Sequence, residues 1–118
     1  MNTAKSIRGK ARQGDAPDWS PLENLLDTEL CAQFMWMFDV KLEDGTLLNA
    51  YKHIWTRRYF HLSDDGRTFY YAGERGYHEV DPYTAIVEVF ETWECADPTD
   101  SERLALETAL RVARGHPL

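Results

Sequence analysis

Two Asp-Gly pairs, Asp44-Gly45 and Asp65-Gly66, bracket a run without Gly, Pro, Asp or Glu from Leu47 to Leu62. That run is rich in aromatic and β-branched residues. Asp-Gly between alternating apolar segments is the strongest short-range hairpin signal. The pattern therefore predicts one antiparallel β-meander over Phe34–Tyr71, with a middle strand shared by both hairpins.

The first strand is read from strict alternation. Phe34, Trp36, Phe38, Val40 and Leu42 alternate with Met35, Met37, Asp39, Lys41 and Glu43, a period of two. A two-residue turn at Asp44-Gly45 pairs Leu42 with Leu47, Phe38 with Tyr51, Trp36 with His53 and Phe34 with Trp55. A two-residue turn at Asp65-Gly66 pairs Leu62 with Phe69 and Phe60 with Tyr71. The two registers demand opposite parities on the shared strand. The expectation is a long, bent middle strand with a β-bulge near residues 56–58.

Around the meander the chain reads as helix and short strand. Ser20-Pro21-Leu22-Glu23 suits a helix start, with a break and a second cap at Asp27-Thr28. Tyr77–Val80 reads as a last short strand. Asp81-Pro82 opens a segment in which Ala85, Ile86, Val89, Phe90 and Trp93 form one stripe. Its β-branched residues keep a strand as the rival to a helix over residues 82–93. Asp100 or Ser101 caps a final helix that ends at Gly115. The predicted fold class is α+β: a twisted antiparallel sheet of four or five strands packed by one N-terminal and two C-terminal helices. Residues 1–18 read as a disordered basic arm and 19–118 as a single domain.

Charge separates the two parts. The chain carries a net −7, yet residues 1–14 hold Lys5, Arg8, Lys10 and Arg12 and no acid. An acidic body disfavours nucleic acid as a partner except through that arm, because phosphate contacts need Lys and Arg. No apolar run approaches the roughly 18 residues of a membrane span, so no membrane partner is expected. The polar Met1–Gly14 stretch lacks a signal-peptide core. The expected location is the cytoplasm, with Cys31 and Cys95 reduced.

Candidate site residues concentrate on the middle strand. Arg57, Arg58, Tyr59 and His61, with Tyr70 opposite, form an expected recognition patch. Glu88, Glu91 and Glu94 face outward as an acidic docking surface for a basic or nucleic-acid-binding partner. His53 is expected to be a buried ring hydrogen-bonded to backbone. If the chain is an enzyme, His61, Arg57 and His78 are the groups that could move protons in a hydrolase or nuclease. No metal-binding spacing is present, and no cofactor is expected. Met35, Met37 and Ile54 on the outer sheet face need a cover, either a helix or a homodimer partner. The first reading is a non-enzymatic protein-binding, inhibitory or regulatory module. The alternatives are the small hydrolase or nuclease and a nucleic-acid-associated protein using the arm.

Overall fold

Both Asp-Gly pairs reverse the chain, but each sits in a loop of three residues, not two. In the computed structural model, which describes residues 6–12 and 16–115, Leu42 N–H donates to Thr46 C=O at 2.8 Å. Ser63 N–H donates in the same way to Arg67 C=O at 2.9 Å. Gly45 and Gly66 take φ of 93° and 88°, while Asp44 and Asp65 keep ordinary φ. A two-residue type I′ turn would force the aspartates to positive φ as well. The three-residue loop asks that only of glycine. Both expected registers are therefore one residue off near the turns. Val40 faces Leu48 and Leu62 faces Thr68.

The first hairpin contains a second correction. Strands β2 (Phe34–Leu42) and β3 (Leu47–His53) change register between Trp36 and Phe38. This bulge turns Phe34 and Trp36 to one face and Phe38, Val40 and Leu42 to the other, so the five do not share a face.

The shared middle strand is not a single strand. It is β3 followed by β4 (Tyr59–Ser63), antiparallel neighbours with Lys52 opposite Tyr59 and Leu48 opposite Ser63. The parity change expected at 56–58 is a full reversal instead of a bulge. His53 N–H donates to Arg58 C=O and Arg57 N–H to His53 C=O, both at 2.9 Å. Arg57 supplies the left-handed residue at φ 67°.

Strands β5 (Thr68–Tyr71) and β6 (Tyr77–Val80) continue the meander, and β1 (Gly9–Arg12) pairs with β2. The result is a six-stranded antiparallel sheet in sequential order, one strand more than the upper expectation. It curls until its ends meet. Ile7 and Tyr77 exchange two backbone hydrogen bonds of 2.6 and 2.7 Å. The expected disordered arm is thus corrected over Ile7–Arg12, while residues 1–5 and 13–15 lie outside the described part.

Curling gives the sheet two cores. Inside the curl lie Val40, Leu42, Leu48, Phe69 and Tyr77, with Ile7 and Phe38 at their edge. The outer face carries Phe34, Tyr51, Phe60 and Leu62 against the helices. These are α1 (Ser20–Leu25), α2 (Thr28–Cys31), α3 (Pro82–Val89) and α4 (Asp100–Ala113). Leu22, Leu30 and Ile86 are fully buried there. Truncating any one of them to Ala is expected to cost about 2–5 kcal/mol.

Caps follow local chemistry with small shifts. Asp27 and Asp81 accept N–H bonds from Leu30 and Thr84 as expected, so residues 82–89 are helix. Ser20 lies inside α1 and does not cap it, since Trp19 precedes it without a side-chain cap. Thr99, rather than Asp100 or Ser101, caps α4 in a reciprocal box with Glu102. Among the described residues no helix is long and apolar enough to cross a membrane.

Candidate functional site

The site begins where two strands part. β4 and β5 pair at only two positions, His61 with Phe69 and Leu62 with Thr68. Both strands continue on their other sides: Tyr59 still pairs with Lys52, and Tyr71 with Tyr77. The register between them ends there and does not continue to Phe60 with Tyr70 or to Tyr59 with Tyr71. The gap opens into a cleft of about 200 Å³. On the helix side its floor is Phe60, Val80 and Ala85 of α3, and its rim is Arg58, Tyr70 and Glu88. On the inner side it meets Tyr59, His61 and Tyr71.

His61 sits at the apex, inside the curl, and is 5% exposed. Its ring stacks on Tyr59 at 5.9 Å and 17° and meets Tyr77 edge-on at 5.1 Å. Tyr71 lies 6.5 Å away. Burial lowers its pKa to about 4, because charging a ring in apolar surroundings forfeits hydration. At neutral pH it is an uncharged aromatic wall. Phe38 extends the aromatic set beyond Tyr59 at 6.0 Å, and the Lys52 ammonium lies 5.6 Å over the Tyr59 ring.

The turn that presents Arg57, Arg58 and Tyr59 is held from beneath by His53. Thr56 N–H donates to His53 Nδ1 at 3.1 Å. Nδ1 is therefore the acceptor, and Nε2–H donates to Gln33 Oε1 at 2.8 Å. Gln33 in turn donates to Glu102 at 2.6 Å. Burial pushes the His53 pKa down to about 4. The Thr56 hydroxyl donates to Val89 C=O at 2.7 Å. The turn is thus tied to both C-terminal helices, and His53 is structural, bonded to backbone as expected.

Of the eight expected binding residues, Arg58, Tyr59, His61, Tyr70 and Glu88 line this cleft. Glu91 stands beside it, paired with Arg58 at 3.5 Å. Glu94 does not line it and is bound by Arg103 at 2.8 Å. Arg57 projects from the exposed turn. The three groups suggested for catalysis are not brought together. His61 points into the curl, whereas His78 shares the opposite face with Tyr70, ring centroids 5.2 Å apart. Arg57 lies in the β3–β4 turn, before the strand that carries His61 begins. Among the described residues no group of three or more His, Cys, Asp or Glu could hold a metal ion.

Tyr71, Phe60, Val80 and Ala85 were not legible as site residues. Phe60 and Tyr71 were expected to pair, and the parting of their strands leaves no mark in the sequence. The outer face expected to need a cover, by a helix or a dimer partner, is different too. Met35 is 39% exposed and sits opposite Lys52, and Met37 falls in the β2 bulge. Ile54 belongs to the β3–β4 turn. The three do not form one flat sheet patch. Of the basic arm, Arg12 is paired with Asp39 at 3.0 Å, and Lys5 lies outside the described residues.

Comparison with protein-family models, curated proteins and solved structures gives no match in any of the three. What the cleft can do follows from its own chemistry. Its walls are aromatic rings, its floor is apolar, and its rim offers one guanidinium and one carboxylate. Such a pocket holds an apolar or planar group and orients it by a few polar contacts.

Proposed function

We propose that this protein is a non-enzymatic binding protein, an interaction or regulatory module that holds a protein partner at the β4–β5 cleft. The carrying observation is that five of the residues expected to recognise a partner converge on one aromatic, apolar-floored cleft. Of the alternative docking surface, Glu94 is held by Arg103 away from the cleft, and Glu91 is joined to the cleft rim through Arg58. That favours the Arg-Tyr-His side of the sheet over the acidic helices as the contact. Aromatic side chains and arginine are the residues that dominate binding energy where one protein meets another. The proposed setting is the cytoplasm, in keeping with two cysteines, Cys31 and Cys95, that are not bonded to each other.

The test is capture of partners from extracts of cells that express the protein, using immobilised wild type beside Ala85→Leu. The added leucine fills the cleft floor. Wild type is expected to retain a partner in about 1 M salt, where charges are screened within about 3 Å, and the variant is expected to lose it. Equal retention by both, or release of the wild-type complex by salt, overturns the assignment.

A further inference from the structure

We infer that the partner enters as an extended peptide segment whose backbone fills the rung that Tyr59 and Tyr71 leave open. This rests on the protein-binding reading of the cleft. Residues of an antiparallel strand direct their N–H and C=O groups alternately to one neighbour and the other. His53 N–H bonds Arg58 C=O, so Arg58 and Phe60 are spent on β3. Ala72 N–H bonds Gly76 C=O, so Tyr70 and Ala72 are spent on β6. The groups that face across the β4–β5 gap are then those of Tyr59 and His61 on one side, Phe69 and Tyr71 on the other. His61 and Phe69 pair with each other. Tyr59 and Tyr71 direct their N–H and C=O groups towards the gap, beyond the last residues at which β4 and β5 are in register.

Unpaired strand groups of this kind are a template for another chain. The volume argues for a peptide over a compact small molecule. About 200 Å³ falls below the roughly 300–1,000 Å³ of pockets that enclose a whole drug-sized ligand. It admits a single side chain, with the rest of the ligand outside along the strand edges. A peptide residue abreast of Tyr59 and Tyr71 shares their inner face, between two tyrosine rings. Its chain neighbour points to the other face, over Phe60, Val80 and Ala85, where an apolar side chain is required. Glu88 flanks that position and can pair with a peptide cation, while Arg58 on the other side is already paired with Glu91.

The test uses a phage-displayed library of random linear peptides, selected on wild type and on Ala85→Leu. A synthetic copy of an enriched peptide is then added to ¹⁵N-labelled wild type, and amide hydrogen exchange is followed by NMR. The expected result is enrichment on wild type alone, with an apolar anchor common to the selected peptides. In the complex the Tyr59 and Tyr71 amides should exchange at least about tenfold more slowly than in the free protein. A cleft-dependent peptide that leaves both amides unprotected overturns strand pairing but keeps the protein-binding reading. Failure to enrich any peptide on wild type over the variant overturns both. The exchange measurement is made on wild type, so it stands even if Ala85→Leu does not fold.

Discussion

Closure of the curled sheet depends on one glycine, and Gly76→Ala isolates that dependence. Gly76 sits at φ 90° and ψ −137°, a region essentially reserved for glycine, where another residue costs about 1–3 kcal/mol. A Cβ there would collide with Ile7 O and stand 2.7 Å from Ile7 C and 2.8 Å from Arg8 Cα. These are backbone atoms and cannot rotate away, so the Ile7 segment must leave Tyr77. That breaks two hydrogen bonds, each with a net contribution of about 1 kcal/mol. Together the loss is about 3–5 kcal/mol, a large share of the roughly 5–15 kcal/mol that holds a domain folded. Gly73→Ala is the internal control. Gly73 also has positive φ, 66°, but nothing lies within 4 Å of its added Cβ, so only about 1 kcal/mol of backbone strain is expected. Urea unfolding of the three proteins gives the comparison. With a slope of about 1–3 kcal/mol per molar, Gly76→Ala should lower the midpoint by about 2 M. Hydrogen exchange at the Ile7 amide should accelerate in Gly76→Ala and not in Gly73→Ala. Equal destabilisation of the two variants, with Ile7 still protected, would refute closure through this contact.

Two further outcomes follow from single residues. His53 and His61 are held neutral, each down to about 4 from an ordinary 6.5. Below pH 6.5 the unfolded chain binds protons that the folded chain refuses, so stability is full above that pH and drains away as pH falls towards 4, by up to about 3 kcal/mol per histidine. Urea midpoints from pH 7 to 4.5 should show it, and His61→Phe should have a shallower fall than wild type; parallel curves would contradict the burial argument. Arg57 holds φ 67°, and its side chain makes no ion pair or hydrogen bond among the described residues. Arg57→Gly should therefore add about 0.5–1 kcal/mol of stability after the entropic cost of glycine, and raise the urea midpoint. A lower midpoint would show that the arginine side chain holds the turn.

The turns show how far local chemistry reaches. Asp44-Gly45 and Asp65-Gly66 announce reversals because glycine takes positive φ at little cost, and both reversals are present. Each loop is one residue longer than expected because the three-residue form asks positive φ of glycine and not of aspartate. The third reversal, at Ile54–Arg58, carries no Gly, Pro or Asp. Its stabilising groups come from elsewhere: the His53 ring receives Thr56 N–H, and Val89 C=O receives the Thr56 hydroxyl. A turn held by distant partners leaves only a parity conflict in the sequence. That conflict was legible, but whether a bulge or a reversal resolved it was not.

The cleft divides in the same way. Arg58, Tyr59, His61 and Tyr70 stood out because they are the concentrated basic and aromatic polar groups of an acidic chain, and alternation placed them near one another. Their role as the lining of one cleft depends on β4 and β5 parting after two rungs, on α3 supplying Ala85 and Glu88, and on the sheet curling to bury His61. Hydrophobic period and turn chemistry act over a few residues, so the chain's α+β class and its hairpins are written locally. Curvature, closure at Ile7 and the unfilled rung arise from the balance of many long-range contacts, which no short stretch of residues encodes.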